Sequence, residues 1–132
     1  MSSRFYAKGV FSLLAVVCAC SVVAQDKVRI GIAGPLSGAA AHYGKDNERG
    51  AQLAIDDLNA SPFKIGGKVV KFELVSEDDQ ADPKQGTAVA QKLVDMGVNG
   101  VVGHNNSGTT IPAARIYNDA GLPHITPAAS DR

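Results

Sequence analysis

The chain has 132 residues, thirteen basic and thirteen acidic side chains, a formal net charge of zero and only 5% aromatic residues. With no basic excess and no basic run, nothing points to nucleic acid or to an anionic membrane surface. The length suffices for one small domain.

Residues 1–24 read as an address and not as a fold. Arg4 and Lys8 give a basic start, Val10 to Ala19 is an apolar run too short to cross a bilayer, and Val22-Val23-Ala24 places small residues before Gln25. This is the pattern of a secretory signal peptide cut ahead of Gln25. Retention as a membrane anchor is one alternative. Lipidation of Cys20 within Val17-Cys18-Ala19-Cys20 is another, although the usual Leu is missing from the first position. Both cysteines lie in this stretch, so the remainder has no disulfide and no thiol chemistry. Setting aside Arg4 and Lys8 leaves eleven basic against thirteen acidic residues, a net charge of −2.

Val28 to Ala33 is a β-prone run that ends at Gly34-Pro35, a strand followed by a turn. Tyr43 to Leu58 is predicted helical, with Ala51, Ala54, Ile55 and Leu58 spaced as a buried face. Asn59 to Gly67, with Pro62 and Gly66-Gly67, breaks it. Val69 to Ser76 is a second strand, and Glu77 to Asp82 an acidic loop. Asp82-Pro83 opens the next helix, Asp as N-cap and Pro in the first turn. Ala88, Val89, the Lys92 stem, Leu93 and Met96 supply its face, and Gly97 ends it. Asn99 to Gly103 is a third strand, Thr109 to Asp119 a third helix ended by Gly121, and Leu122 to Thr126 a fourth strand.

The order β-α-β-α-β-α-β with short connections implies an α/β fold, a doubly wound parallel sheet with right-handed crossovers. The chain stops at Arg132, shortly after a strand, and reads as the N-terminal part of a longer domain.

Val102-Gly103-His104-Asn105-Asn106-Ser107-Gly108-Thr109-Thr110-Ile111-Pro112 carries the strongest functional signal. An apolar strand runs into a polar loop that opens a helix, where backbone N–H groups and hydroxyls suit a small anion such as a carboxylate. The bland reading is that Ser107 or Thr109 only caps the helix, and the two readings are compatible because a cap and an anion site use the same geometry. A second polar-tipped strand, Leu122 to Ser130, follows one helix later, and two such neighbouring strand ends form a ligand crevice. Glu77, Asp78 and Asp79 could hold Mg²⁺, but a solvated loop with Asp79 or Asp82 as a cap is the simpler reading. His104 stands without a nucleophile–base arrangement and reads as hydrogen-bonded structure. Gly31, Gly34 and Gly38 are interrupted by Pro35 and do not make a dinucleotide fingerprint. No metal and no cofactor is expected.

These stretches resemble the leucine/isoleucine/valine-binding protein family, the periplasmic receptors of branched-chain amino-acid ABC importers. The matching runs are Ile32 to Gly38, Tyr43-Gly44, Gly50-Ala51, Asp78-Asp79 through Asp82-Pro83-Lys84-Gln85, Val102-Gly103-His104, and Ile125-Thr126-Pro127-Ala128-Ala129-Ser130. The resemblance implies a type I periplasmic binding fold of two α/β lobes with the ligand between them. Residues 25–132 would be the first part of the first lobe. It implies that Ser107, with Gly108 and Thr109 beside it, takes the ligand carboxylate. The Ala128 carbonyl would take the ammonium, Ser130 would stand where the family has Thr, and Tyr43 would form an aromatic wall. The family's cysteine pair falls on Ala81 and Asn106, so that staple is absent. The expected protein is exported to the periplasm, not an enzyme, a monomer, and the partner of a membrane permease. Family members also take amides, urea or aromatic acids. A sensory domain of the same fold that reports to a receptor is the alternative function, and an exported α/β enzyme would need a nucleophile–base pair absent from this stretch.

Overall fold

The computed structural model describes residues 26–130. The expected signal peptide, its cleavage ahead of Gln25 and lipidation at Cys20 fall outside the described residues. Five strands and three helices follow in the order β1 (Asp26–Gly34), α1 (Ala41–Asn59), β2 (Phe63–Ile65), β3 (Lys68–Asp78), α2 (Pro83–Asp95), β4 (Gly100–Val102), α3 (Ser107–Asp119) and β5 (His124–Ile125). The strands form one sheet in the order β2-β3-β1-β4-β5.

The parallel core of this sheet is as expected. β1 pairs with β3 from Asp26↔Val70 to Gly34↔Asp78, and on its other side with β4 through Gly31↔Val101. β4 pairs with β5 through Val101↔His124. The chain therefore winds outward from β1 in both directions, and β1 and β4 flank the point where the winding reverses. Ligand crevices of open α/β sheets lie at that point, beyond the carboxyl ends of the strands.

One strand departs from the expectation. Residues 59–67 do more than end α1, because Phe63–Ile65 forms β2, antiparallel to β3 with Lys64 opposite Val69. Gly66 and Gly67 both take positive φ, +57° and +82°. Two such residues make the tight turn that matches the twist of a hairpin. Phe63 and Phe72 meet edge to face across the pair, with ring centroids 5.4 Å apart.

Helices cover both faces of β1. Alternate residues of a strand point to opposite sides. A Cβ on Gly31 would meet Leu93 of α2, whereas one on Gly34 would meet Gly44 of α1. On the α2/α3 side Ala33, Val89, Leu93, Val101, Ala113 and Tyr117 form a core with almost no exposed surface. The buried face of α2 is Gly86, Val89, Ala90 and Leu93, while Ala88 is exposed. This is the i, i+3, i+4, i+7 stripe set one register away from the expected one. On the α1 side Ile55 is buried, Ala54 and Leu58 are exposed, and Gly44 is the other buried residue of the helix. Asp82 caps α2 as expected, its carboxylate accepting from Gln85 N–H at 2.8 Å, with Pro83 at the first helical position. Gly97 and Gly121 follow α2 and α3 with φ of +66° and +65°.

Candidate ligand site

The carboxyl ends of β1, β3, β4 and β5 converge on a buried cluster built around His104. Its Nδ1 lies 2.7 Å from Asp79 Oδ2 and its Nε2 lies 3.0 Å from the Tyr117 hydroxyl. His104, Asp79 and Tyr117 are each fully buried. The second oxygen of Asp79 accepts from Ala81 N–H at 2.9 Å, and the Asp79 N–H donates to the Gly34 carbonyl at 3.0 Å. Burial raises the Tyr117 phenol above its ordinary pKa, and the negative charge of Asp79 adds to the effect. The phenol therefore keeps its proton at any physiological pH.

The reading of residues 77–82 as a solvated acidic loop is corrected at Asp79, which is turned wholly inward. The three carboxylates part company. Glu77 pairs with Lys92 at 2.8 Å, Asp79 holds His104, and Asp78 serves the loop after β1. Asp78 accepts from Leu36 N–H at 2.8 Å, Ser37 Oγ at 2.5 Å and Gln80 N–H at 2.9 Å. Burial works to raise the Asp78 carboxyl, and these donors outweigh it and hold it below the usual value. The side chains of Asp78 and Asp79 each accept an N–H two residues on, at Gln80 and Ala81, where φ is +54° and +58°. Each is an Asx-type turn, in which the carboxylate stands in for a backbone carbonyl. Among the described residues no group of three His, Cys, Asp or Glu is placed to hold a metal ion.

From this anchor the β4–α3 loop runs to Ser107. Gly103 has φ of +133°, and a Cβ there would sit 2.1 Å from the Ala33 carbonyl oxygen, so only glycine lets β4 leave the sheet here. The Gly103–His104 peptide is cis. The His104 carbonyl accepts the hydroxyls of Thr110, at 3.0 Å, and Thr126, at 2.6 Å. The Asn105 side chain accepts from Asn47 of α1. Asn106 is the N-cap of α3 and its side chain makes no capping bond. Ser107 is the first residue of the helix, so neither it nor Thr109 is the N-cap. Thr109 is fully buried and gives both its hydroxyl, at 2.9 Å, and its N–H, at 3.1 Å, to the Asn106 carbonyl. Gly108 is exposed beside it.

The loop after β5 comes back to the same place. Ser130 N–H donates to Ser107 Oγ at 3.2 Å, and Ala129 N–H donates to Thr126 Oγ1 at 3.1 Å. Ser107 and Ser130 are thus brought together beyond the carboxyl ends of β4 and β5, with Gly108, Thr109 and Ala128 near them in the chain. Tyr43 lies on α1, 61% exposed in the first turn, its ring tilted against His42 at 3.9 Å. Helix α1 itself is drawn close to the β1 loop by Gly44, where a Cβ would lie 2.1 Å from the Pro35 carbonyl oxygen.

The family model described as periplasmic binding protein matches residues 27–132. The chain belongs to the periplasmic binding protein family. It is 42% identical over 133 residues to an amino acid binding protein of Pseudomonas aeruginosa, covering 99% of this chain and 35% of that one. It is 44% identical over 108 residues to the Leu/Ile/Val-binding protein of Escherichia coli K12, covering 82% of this chain and 28% of that one. Among solved structures it is similar to the branched-chain amino acid transporter substrate binding protein LivJ from Streptococcus pneumoniae in complex with isoleucine. That match has 36% identity and a TM-score of 0.72 over 80% of this chain and 30% of the other. The chain therefore spans about a third of the length of the family members it matches. The α/β fold of a type I periplasmic binding protein lobe agrees with that of its structural neighbours. Among the described residues no helix is long and apolar enough to cross a membrane.

Proposed function

We propose that the complete gene product is the exported substrate-binding protein of an ABC importer and captures branched-chain or related amino acids for uptake. The observation that carries this reading is the bond from Ser130 N–H to Ser107 Oγ. It joins the start of α3 to the loop after β5 at the edge where an open α/β sheet takes its ligand. Named relatives that bind leucine, isoleucine and valine support it.

A zwitterion suits these two loops. The carboxylate would lie at the start of α3, on Ser107 and the backbone near Gly108, at the positive end of the helix. Thr109 shapes that turn from inside. The ammonium would meet the Ala128 carbonyl, with Ser130 alongside, and the ligand side chain would pack near Tyr43. A second lobe, in residues beyond this segment, would close over the ligand by a hinge motion. Residues 1–24 would direct export to the periplasm, and a membrane permease would receive the ligand from the monomeric protein. No covalent step is involved, so the protein is not an enzyme.

A thermal-shift screen of the twenty amino acids against the complete gene product tests this. Leucine, isoleucine or valine should raise the midpoint in proportion to the logarithm of concentration once the site is saturated. No shift and no calorimetric binding with any of the twenty removes the reading.

A further inference from the structure

Thr126 is bonded on both sides of its hydroxyl. It donates to the His104 carbonyl at 2.6 Å and accepts from Ala129 N–H at 3.1 Å. A peptide unit is planar, and in the trans form its C=O and N–H point in opposite directions. The Ala128–Ala129 bond is not among the cis bonds of the described residues. Holding Ala129 N–H on Thr126 therefore turns the Ala128 carbonyl away from Thr126. The other end of the relay is anchored, because the His104 ring is fully buried and bonded on both sides by Asp79 and Tyr117. His104 also begins the loop that leads to Ser107.

We propose that Thr126 is a positioning residue that aims the Ala128 carbonyl and fixes it relative to Ser107, so that the acceptor for an ammonium and the donor for a carboxylate keep a set separation. This rests on the amino-acid-binding reading given above. Strand pairing contributes a coarser tie, Gly103 N–H to the Ile125 carbonyl at 2.8 Å, but it leaves the peptide planes after Thr126 unset. The role belongs to the hydroxyl, since a serine could make both bonds and a valine of the same shape neither. Valine would not orphan the His104 carbonyl, which keeps the Thr110 hydroxyl at 3.0 Å.

The test uses the complete gene product, with L-leucine as probe, or whichever of the twenty amino acids binds the parent most tightly. Thr126→Val should weaken binding about tenfold or more, and Thr126→Ser should stay within about threefold of the parent, as expected for loss or retention of bonds worth roughly a factor of ten each. Amide exchange supplies an independent measurement. Ala129 N–H should be protected in the parent and in Thr126→Ser, and should exchange faster in Thr126→Val. Unchanged affinity in Thr126→Val overturns the proposal while leaving the amino-acid reading intact. An unprotected Ala129 amide in the ligand-free parent overturns it even if the valine variant does not fold. A parent that binds no amino acid overturns both.

Discussion

The carboxylate of Asp79 lies 2.7 Å from His104 Nδ1, and neither side chain has exposed surface. The two residues come from the ends of β3 and β4, on either side of β1, so the pair pins together the edge from which the β4–α3 loop springs. Their bond is therefore a matter of architecture as much as of charge.

Removing the histidine should cost more than removing the phenol. His104→Phe leaves the Asp79 carboxylate buried with the backbone N–H of Ala81 as a remaining donor, a loss on the order of 3–5 kcal/mol. Tyr117→Phe leaves only His104 Nε2 without its partner, about 1–3 kcal/mol. Denaturant midpoints of the two variants and the parent check this order. Equal midpoints for His104→Phe and the parent would show that the cluster is held by packing alone.

Two glycines of α1 should respond in opposite directions to alanine. At Gly44 the new methyl would meet the Pro35 carbonyl oxygen at 2.1 Å, and backbone cannot yield cheaply. A loss of about 1–3 kcal/mol or more follows, with α1 pushed off the β1 loop. Gly50 has nothing within 4 Å of the same position and lies in mid-helix. Alanine there should stabilise by about 0.4–1 kcal/mol through the unfolded chain. Thermal melts of the two variants decide, and a stable Gly44→Ala would mean that α1 does not approach as closely as it is placed.

The parallel strands and the helices were legible because each carries a strong local signal: apolar runs broken by Gly-Pro, an Asp-Pro helix start, and glycines beyond two helix ends. β2 was missed although Phe63-Lys64-Ile65 alternates and Gly66-Gly67 is a hairpin turn, because three exposed residues bury too little to register as a strand. The buried face of α2 was offset because Gly86 contributes no hydrophobic signal yet lies against Thr109. Around the candidate site, the nearness of Ser107 and Ser130 was legible from strand order, which sets the ends of β4 and β5 side by side. The inward turn of Asp79 was not legible, since its partner is 25 residues away and only the register of β3 and β4 about β1 brings them together.

Asp78 should shape the acid limb of stability. Its carboxyl is held below the ordinary 3.8 by its donors, against the pull of burial. A depressed carboxyl stabilises the fold fully above its unfolded value and loses that contribution as pH falls through the folded value. The Asp78-dependent loss should thus lie below about pH 4 and be absent between pH 5 and 7. Asp78→Asn should lower the melting temperature at pH 6 and flatten its fall below pH 4. A variant whose melting curve runs parallel to the parent's from pH 6 to pH 2.5 would place the acid sensitivity elsewhere.

Ser107 should matter to the ligand and little to the apo fold. It is the first residue of α3, not its cap, and its oxygen accepts from Ser130 N–H at 3.2 Å. In a closed cleft its hydroxyl would bond an ionised carboxylate, a charge-assisted bond of about 1.5–3 kcal/mol, or roughly tenfold to a hundredfold in affinity. In Ser107→Ala the helix N–H groups remain, so binding should weaken and not vanish. The apo protein should lose no more than about 1–2 kcal/mol, as expected at a partly exposed site. Calorimetric titration of parent and variant with the best amino acid from the screen, beside melting curves of both without ligand, separates the two effects. Equal affinity would move the carboxylate away from Ser107. An apo melting loss as large as the binding loss would make the residue part of the scaffold that joins α3 to the loop after β5.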